Sequence, residues 1–405
     1  MDHGRWYRLS GDAPDLNLPP TPPGTRYLAD GDPACDPALN PARTLHERMR
    51  RRLGREWIAP WRGRVGFPAI TEAWNGAIYA SRCGSAGSMV VFGGGHNDYF
   101  GSDVHAFDLA SRQWRRLSDG FIGGDAHAYG EGAVYPDACY PDGSPLPPHT
   151  YGYVQYDEIG NQLILLKGQT ELGPRPKAIA MPQLLSLTSL RWRRGPVLET
   201  AILNSGGSTT WDSQRRLLWG NSGDDAGGNA FVAFCPDGVN DNGSVGSWRG
   251  CFANKLPGEA NHNCMQIHPQ ADLIFWALHR RDTLALLDPV HPESPLTIVP
   301  STGERPEVSE FAALDYSPGL NALVYYSATD GPRAFAIRWD GGVACWSGLA
   351  DAAGLDPVAD AAQQTRYAVN GRHTFGRFRV AHFADVDLAL LVRHVDSPVY
   401  CLRIR

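Results

Sequence analysis

The most regular hydrophobic patterning in the chain lies in residues 89–117, MVVFGGGHNDYFGSDVHAFDLASRQWRRL. Val90, Val91 and Phe92 form a short apolar run that ends in Gly93-Gly94-Gly95. A second run, Val104, Ala106 and Phe107, begins after Gly101 and Ser102. Trp114 marks a third, before Arg115, Arg116 and Leu117. Glycine breaks between short β-rich runs are hairpin punctuation, so this stretch predicts three consecutive antiparallel strands.

Looser copies follow along the chain. Each begins with an inner strand, predicted at 74–80, 151–157, 208–212, 263–268, 312–316 and 378–384. Each continues through a turn into a strongly apolar second strand, at 89–92, 162–166, 216–219, 273–278, 322–326 and 388–392. Trp114, Trp192, Trp248, Trp346 and Trp6 would close five of the units. The fourth carries LALLDPVHPESPLTIV where a tryptophan is expected.

The glycine run after a hydrophobic strand, Asp108 closing the next strand and Trp114 six residues later resemble a kelch repeat. Several copies at blade spacing make the resemblance more specific than one would. It implies an all-β, galactose-oxidase-like propeller of four-stranded antiparallel blades. The count gives six blades. Seven is the alternative if residues 20–70 hide one, and their Pro-, Asp- and Gly-rich composition argues against that.

The termini fit a closed ring. GRWYRLS at 4–10 mirrors RQWRRLS at 112–118, but no blade precedes it. The C-terminus supplies strands at 378–384, 387–392 and 399–404, then stops. The N-terminal strand is therefore expected to complete the last blade and remove an exposed sheet edge. Residues 1–405 read as one domain: a closing strand at 1–10, an arm with a short helix (LHERMRRRL, 45–53) within 11–73, and blades from 74 to 405.

A 42% hydrophobic content supports one large core at this length. The net charge of -6 argues against a general nucleic-acid or membrane-surface binder. No apolar run approaches the roughly 18 residues of a membrane span. The first twenty residues lack the apolar core of a signal peptide, so the chain is expected to be cytoplasmic, or secreted or periplasmic if a leader was removed. It is expected to act as a monomer. The eight cysteines form no CxxC pair, which excludes a zinc ribbon. They read as separate buried thiols, with a Cys235–Cys251 disulfide as the alternative if the protein is secreted.

The blade meander puts the loops after second strands on the same rim as the loops entering inner strands. This rim receives His96, Asn97 and Asp98 from GGGHNDYFG, His149 and Tyr151 from PPHTYGY, and His262, Glu310, Arg377 and His394. It also receives the His279-Arg280-Arg281 triplet, and the 118–148 loop adds His127, Tyr129, Tyr135 and Tyr140. Histidines gathered around a concave channel mouth are the default candidate site. Strand alternation puts His149 and Tyr151 on one face, a pair suited to proton abstraction and return, or to packing between blades. His96 is either an assisting base or a turn residue. Arg280, Arg281 and Arg377 would hold a carboxylate through forked bonds, or simply be solvated. Trp74, Asn75, Asn97, His262 and Glu310 complete the expected substrate-binding set. The DGVNDNG segment at 237–243 reads as a turn rather than a calcium loop. His262 and His268 are not expected to bind metal, because His268 precedes Pro269 at the far end of the strand.

No serine-hydrolase, zincin or nucleotide-binding motif is present in its required context. Propellers of the resembled kind include carbohydrate oxidases, a sialic acid epimerase, polysaccharide lyases and binding modules. A copper radical oxidase would need a Tyr–Cys crosslink, and the rim offers no convincing cysteine partner. The inventory fits a polysaccharide lyase that cleaves an acidic, uronate-containing glycan without metal or cofactor. Arginine would neutralise the carboxylate, with His and Tyr as acid and base. The alternatives are a non-catalytic glycan- or protein-binding propeller, and a glycoside hydrolase or epimerase using paired carboxylates such as Asp98, Asp224, Asp225 and Glu310.

Overall fold

A computed structural model describes residues 1–10, 70–71, 74–94, 101–118, 134–170, 178–199, 206–221, 230–253, 263–309, 312–349, 354–358, 374, 376–393 and 398–405. The expected arm and the helix at 45–53 lie outside these residues.

The architecture is an all-β propeller of six blades. The first strand, β1 (Trp6–Arg8), belongs to the last blade. Blade 1 is β2 (Ala77–Ala80), β3 (Ser88–Val91), β4 (Val104–Asp108) and β5 (Gln113–Ser118). Blade 2 is β6 (Val154–Asp157), β7 (Gln162–Gln169), β8 (Ala178–Ser186) and β9 (Trp192–Arg194). Blade 3 is β10 (Thr209–Asp212), β11 (Leu217–Asn221), β12 (Ala230–Val239) and β13 (Val245–Ala253). Blade 4 is β14 (Cys264–His268), β15 (Leu273–Leu278), β16 (Thr283–Leu287) and β17 (Thr297–Val299). A short strand, β18 (Ser301–Gly303), then crosses to blade 5, which is otherwise β19 (Ala313–Ser317), β20 (Ala322–Tyr326), β21 (Ala334–Asp340) and β22 (Val343–Gly348). Blade 6 is β23 (Phe378–His382), β24 (Asp387–Val392), β25 (Val399–Arg403) and β1. The inner strands β2, β6, β10, β14, β19 and β23 neighbour one another around a closed ring.

Two features depart from a plain four-stranded meander. Strand β18 pairs in parallel with β22, so blade 5 has a fifth strand linking it to blade 4. The second strand of blade 2, β7, runs to Gln169, three residues beyond its expected end at Leu166.

The turns explain why the strands stop where they do. Asp108, Asp157, Asp212 and Asp288 each accept bonds from main-chain N–H groups two and three residues on. Such side-chain acceptors give the backbone a local alternative to the ladder and start the turn. After the first three, Arg112, Asn161 and Arg216 adopt positive φ, which reverses the chain into the next strand. At this end of the blades Arg216 also joins blades 2 and 3 through Asp157 at 3.0 Å, and Arg215 joins blades 3 and 4 through Asp272 at 2.5 Å.

The core lies between blades rather than along one axis. Closing tryptophans lean on the preceding blade, where Trp248 donates to the Pro196 carbonyl and Trp6 to the Pro332 carbonyl. Pairing of Trp6 with Leu402 and Tyr7 with Cys401 closes the ring. Blade 4 has Thr-Ile-Val on its outer strand where the others carry tryptophan.

The cysteines within the described residues are free thiols. Cys235 pairs across its ladder with Ser247, and Cys251 with Val232, so the two sit in different rungs and form no disulfide. Residues 237–239 end β12 and residues 240–243 form the turn, in which Asn240 donates to Ser244 and to the Gly246 carbonyl. No cluster of three or more metal-ligating side chains occurs among the described residues.

Candidate functional site at the blade 1–2 rim

The loop after β3, the entry to β2 and the entry to β6 meet on one rim, joined by a continuous set of polar bonds. Gly94 N–H donates to the Pro148 carbonyl at 3.1 Å. Thr150 N–H donates to Asn75 Oδ1 at 2.8 Å, and the Thr150 hydroxyl accepts from Gly76 N–H at 2.8 Å. Asn75 is fully buried and its amide donates to the Ile70 carbonyl. Tyr151 N–H donates to the Trp74 carbonyl at 2.9 Å. A buried asparagine with donor and acceptor both engaged fixes two loops at once.

These bonds bring Trp74, His149 and Tyr151 together. The His149 and Tyr151 rings lie 5.7 Å apart at 86°, edge to face. Trp74 lies 5.5 Å from His149 and 5.9 Å from Tyr151. Strand alternation is not what pairs them. Strand β6 begins only at Val154, and Tyr151 has φ of 43°, in the left-handed region. Tyr153 N–H returns to the Thr150 carbonyl at 2.7 Å, so a tight turn carries the pair. A buried aromatic residue in this conformation stores strain of about 1–3 kcal/mol, and such strain gathers at functional positions. Tyr151 also borders a channel cavity of about 30 Å³ with Gly152, Ser208, Gly376 and Arg379.

Arg377 is near the cluster, but fully buried. Its guanidinium donates to the carbonyls of Val392 at 2.9 Å, Asn75 at 2.5 Å and Arg393 at 3.0 Å. The neighbouring buried Arg379 donates to the carbonyls of Ala77 and Val154. Arg377 thus ties blade 6 to blade 1, and Arg379 ties it to blades 1 and 2. Of the His279-Arg280-Arg281 triplet, His279 donates its main-chain N–H and Nδ1 to Asn263 Oδ1, each at 3.0 Å, and Arg281 is exposed. His96, Asn97, Asp98, His127, Tyr129, His262, Glu310 and His394 lie outside the described residues, as do Asp224, Asp225 and the Arg280 side chain. His268 is held at the opposite end by main-chain groups and meets Tyr316 edge to face at 5.1 Å.

Sequence reasoning missed Lys167, on β7. It is buried, with its ammonium 5.6 Å from the Tyr151 ring centre and 5.9 Å from that of Tyr153. Burial pushes its ammonium down to about 8. The available signal was a cation inside the apolar run QLILLKG. A second buried pair, His105 Nε2 at 2.5 Å from Asp103 Oδ2, enters β4 in blade 1.

No known family model matches the chain, and no curated protein does. Among solved structures it is similar to a nidogen/laminin complex, at 9% identity and TM-score 0.38, over 65% of this chain and 75% of that one. It is also similar to a structural genomics protein of unknown function from Bacteroides thetaiotaomicron VPI-5482, at 9% identity and TM-score 0.40, over 78% of this chain and 66% of that one. At these identities the likeness extends to the fold alone.

Proposed function

We propose that this protein is a carbohydrate-active enzyme, a polysaccharide lyase that opens an acidic glycan by β-elimination at the blade 1–2 rim. The resemblance of its repeats to kelch repeats supports reading it beside the galactose-oxidase-like propellers. The observation that carries the proposal is the His149–Tyr151 contact, two side chains able to transfer protons whose ring centres lie 5.7 Å apart in a strained turn under Trp74.

Elimination at a uronate needs three services. A base takes the proton next to the carboxylate, and that electron pair becomes the new carbon–carbon double bond. The bond to the glycosidic oxygen on the adjacent carbon breaks, and an acid protonates the departing oxygen. A cation stabilises the charge that develops on the carboxylate. His149 and Tyr151 share the first two, with His96 assisting. Trp74 offers an aromatic face for a sugar ring, and Asn75 holds the loop that carries the pair. In this reading Arg377 positions the rim rather than touching substrate, because three main-chain carbonyls occupy its fork.

The test is ultraviolet absorbance of the conjugated unsaturated uronate across a panel of acidic polysaccharides, with wild type beside His149→Ala. Product formed by wild type and abolished in the variant supports the reading. Product formed equally by both removes His149 from the chemistry. A second reading, a non-catalytic glycan-binding propeller, is favoured by a separate cavity of about 570 Å³ lined by Tyr135, Tyr140, Trp192 and Arg193. Glycan-array binding with no unsaturated or reducing-end product would select it.

A further inference from the structure

Among the described residues the rim contains three buried arginines and one buried lysine, and they are treated differently. Arg377 and Arg379 donate to main-chain carbonyls of three blades, and Arg393 donates to the carbonyls of Pro357 and Val358. The contacts of the Lys167 ammonium are ring faces, Tyr151 and Tyr153. Among the described residues no carboxylate lies within ion-pair distance of it. Desolvation, with no neighbouring charge, is what acts on its ionisation.

This is a costly arrangement. A buried cation requires a counter-charge or a full set of acceptors, and two aromatic faces supply only part of that. The chain also uses lysine sparingly, at Lys167, Lys177 and Lys255 alone. Its place in the fold is specific. The register of β7 against β8 slips between Leu165 and Lys167, so that Leu165 faces Gln183 and Lys167 faces Ala180. The extra residue falls at Met181-Pro182, where proline has no N–H for the ladder. The slip lies beside the Tyr151 turn, and Tyr151 is the ring that both Lys167 and His149 approach.

We propose that Lys167 receives the anion of the substrate, and that this anion is a uronate carboxylate brought against the Tyr151 ring beside His149. The proposal rests on the elimination reading for its choice of anion, but anion binding can be measured without elimination. A carboxylate here would complete the ammonium's bonds. It would also place the neutralising charge next to the proton-transfer pair, the position that Arg377 cannot serve.

The experiment uses the full chain labelled with [¹³C]lysine, whose three side-chain signals are assigned with Lys167→Met. D-glucuronate is titrated up to about 100 mM, well above the millimolar dissociation constants expected of a single sugar. Glucose serves as the neutral control. The expected result is a saturable shift of the Lys167 signal with glucuronate and none with glucose. Alongside, KM for the cleaved glycan should rise about tenfold or more in Lys167→Met and less in Lys167→Arg. A Lys167 signal unmoved by glucuronate overturns the proposal, and wild-type KM in Lys167→Met does the same while leaving the elimination reading intact. A saturable Lys167 shift with no unsaturated product from any glycan keeps the anion site and removes the lyase. If Lys167→Met fails to fold, Lys177→Arg and Lys255→Arg assign the other two signals, and the titration on wild type stands.

Discussion

A Cβ added at Gly93 would lie 2.2 Å from Oδ1 of Asn75, the same oxygen that accepts the Thr150 N–H. The loop after β3 therefore closes against the polar pin that sets the His149–Tyr151 turn. Gly93 also has φ of 140°, where an L side chain is strained. Gly93→Ala is expected to cost about 2–4 kcal/mol in urea unfolding, from overpacking and backbone strain together. Whatever activity the rim has should fall further than that of surface glycine variants such as Gly342→Ala, which meets nothing within 4 Å.

If the elimination reading holds, His149→Ala and Tyr151→Phe should each lower kcat/KM by about 100-fold or more, the usual weight of one positioned proton-transfer group. Tyr151→Phe keeps the ring that packs on Trp74 and His149, so its unfolding temperature should stay near wild type. A large loss of activity with unchanged stability would separate chemistry from packing.

Lys167 makes stability depend on pH in a defined direction. Its folded value of about 8 lies below the ordinary lysine value of 10.5, so between those limits the unfolded chain binds more protons than the native one. Stability from this group therefore rises with pH from about 8 to 10.5, by about 3 kcal/mol in total, and is absent below that window. Lys167→Met should remove this slope and stabilise the fold at neutral pH. Urea unfolding of both proteins across that range checks it, and parallel curves would show that Lys167 is not desolvated.

Arg377→Lys should destabilise although it keeps the charge. One ammonium cannot span the carbonyls of Val392, Asn75 and Arg393 as the fork does. The expected loss is about 2–4 kcal/mol in denaturant unfolding, from carbonyls left without donors. Unchanged stability would assign those carbonyls to other donors and free Arg377 for a ligand.

Removing residues 1–10 should open the ring. Strand β25 would lose its partner β1, and Pro332 would lose the Trp6 indole donor. A lower unfolding temperature and concentration-dependent association through the bared edge are expected by calorimetry and light scattering. A monomer with wild-type melting would place closure elsewhere.

The six-blade order, the tryptophan-closed outer strands and the N-terminal closing strand were legible in the chain, because they follow from local periodicity and turn residues repeated six times. That loops after second strands meet loops entering inner strands was legible too, since a meander dictates which loops share an end. The reason for their contact was not. Alternation placed His149 and Tyr151 on one face, whereas a left-handed Tyr151 and a turn before β6 bring them together. Two fates were decided only by tertiary structure. Arg377 looked like a ligand-binding cation, but the carbonyls of two other segments close around its fork. Lys167 lay just past the expected strand end at Leu166 and drew no reading, but a register slip and the rings of Tyr151 and Tyr153 bury its charge, with no counter-ion among the described residues. Periodicity reports which way a side chain faces along its own strand. What that side chain meets depends on residues far away in sequence, and burial, which sets the energy of a charge, exists only once the blades are packed.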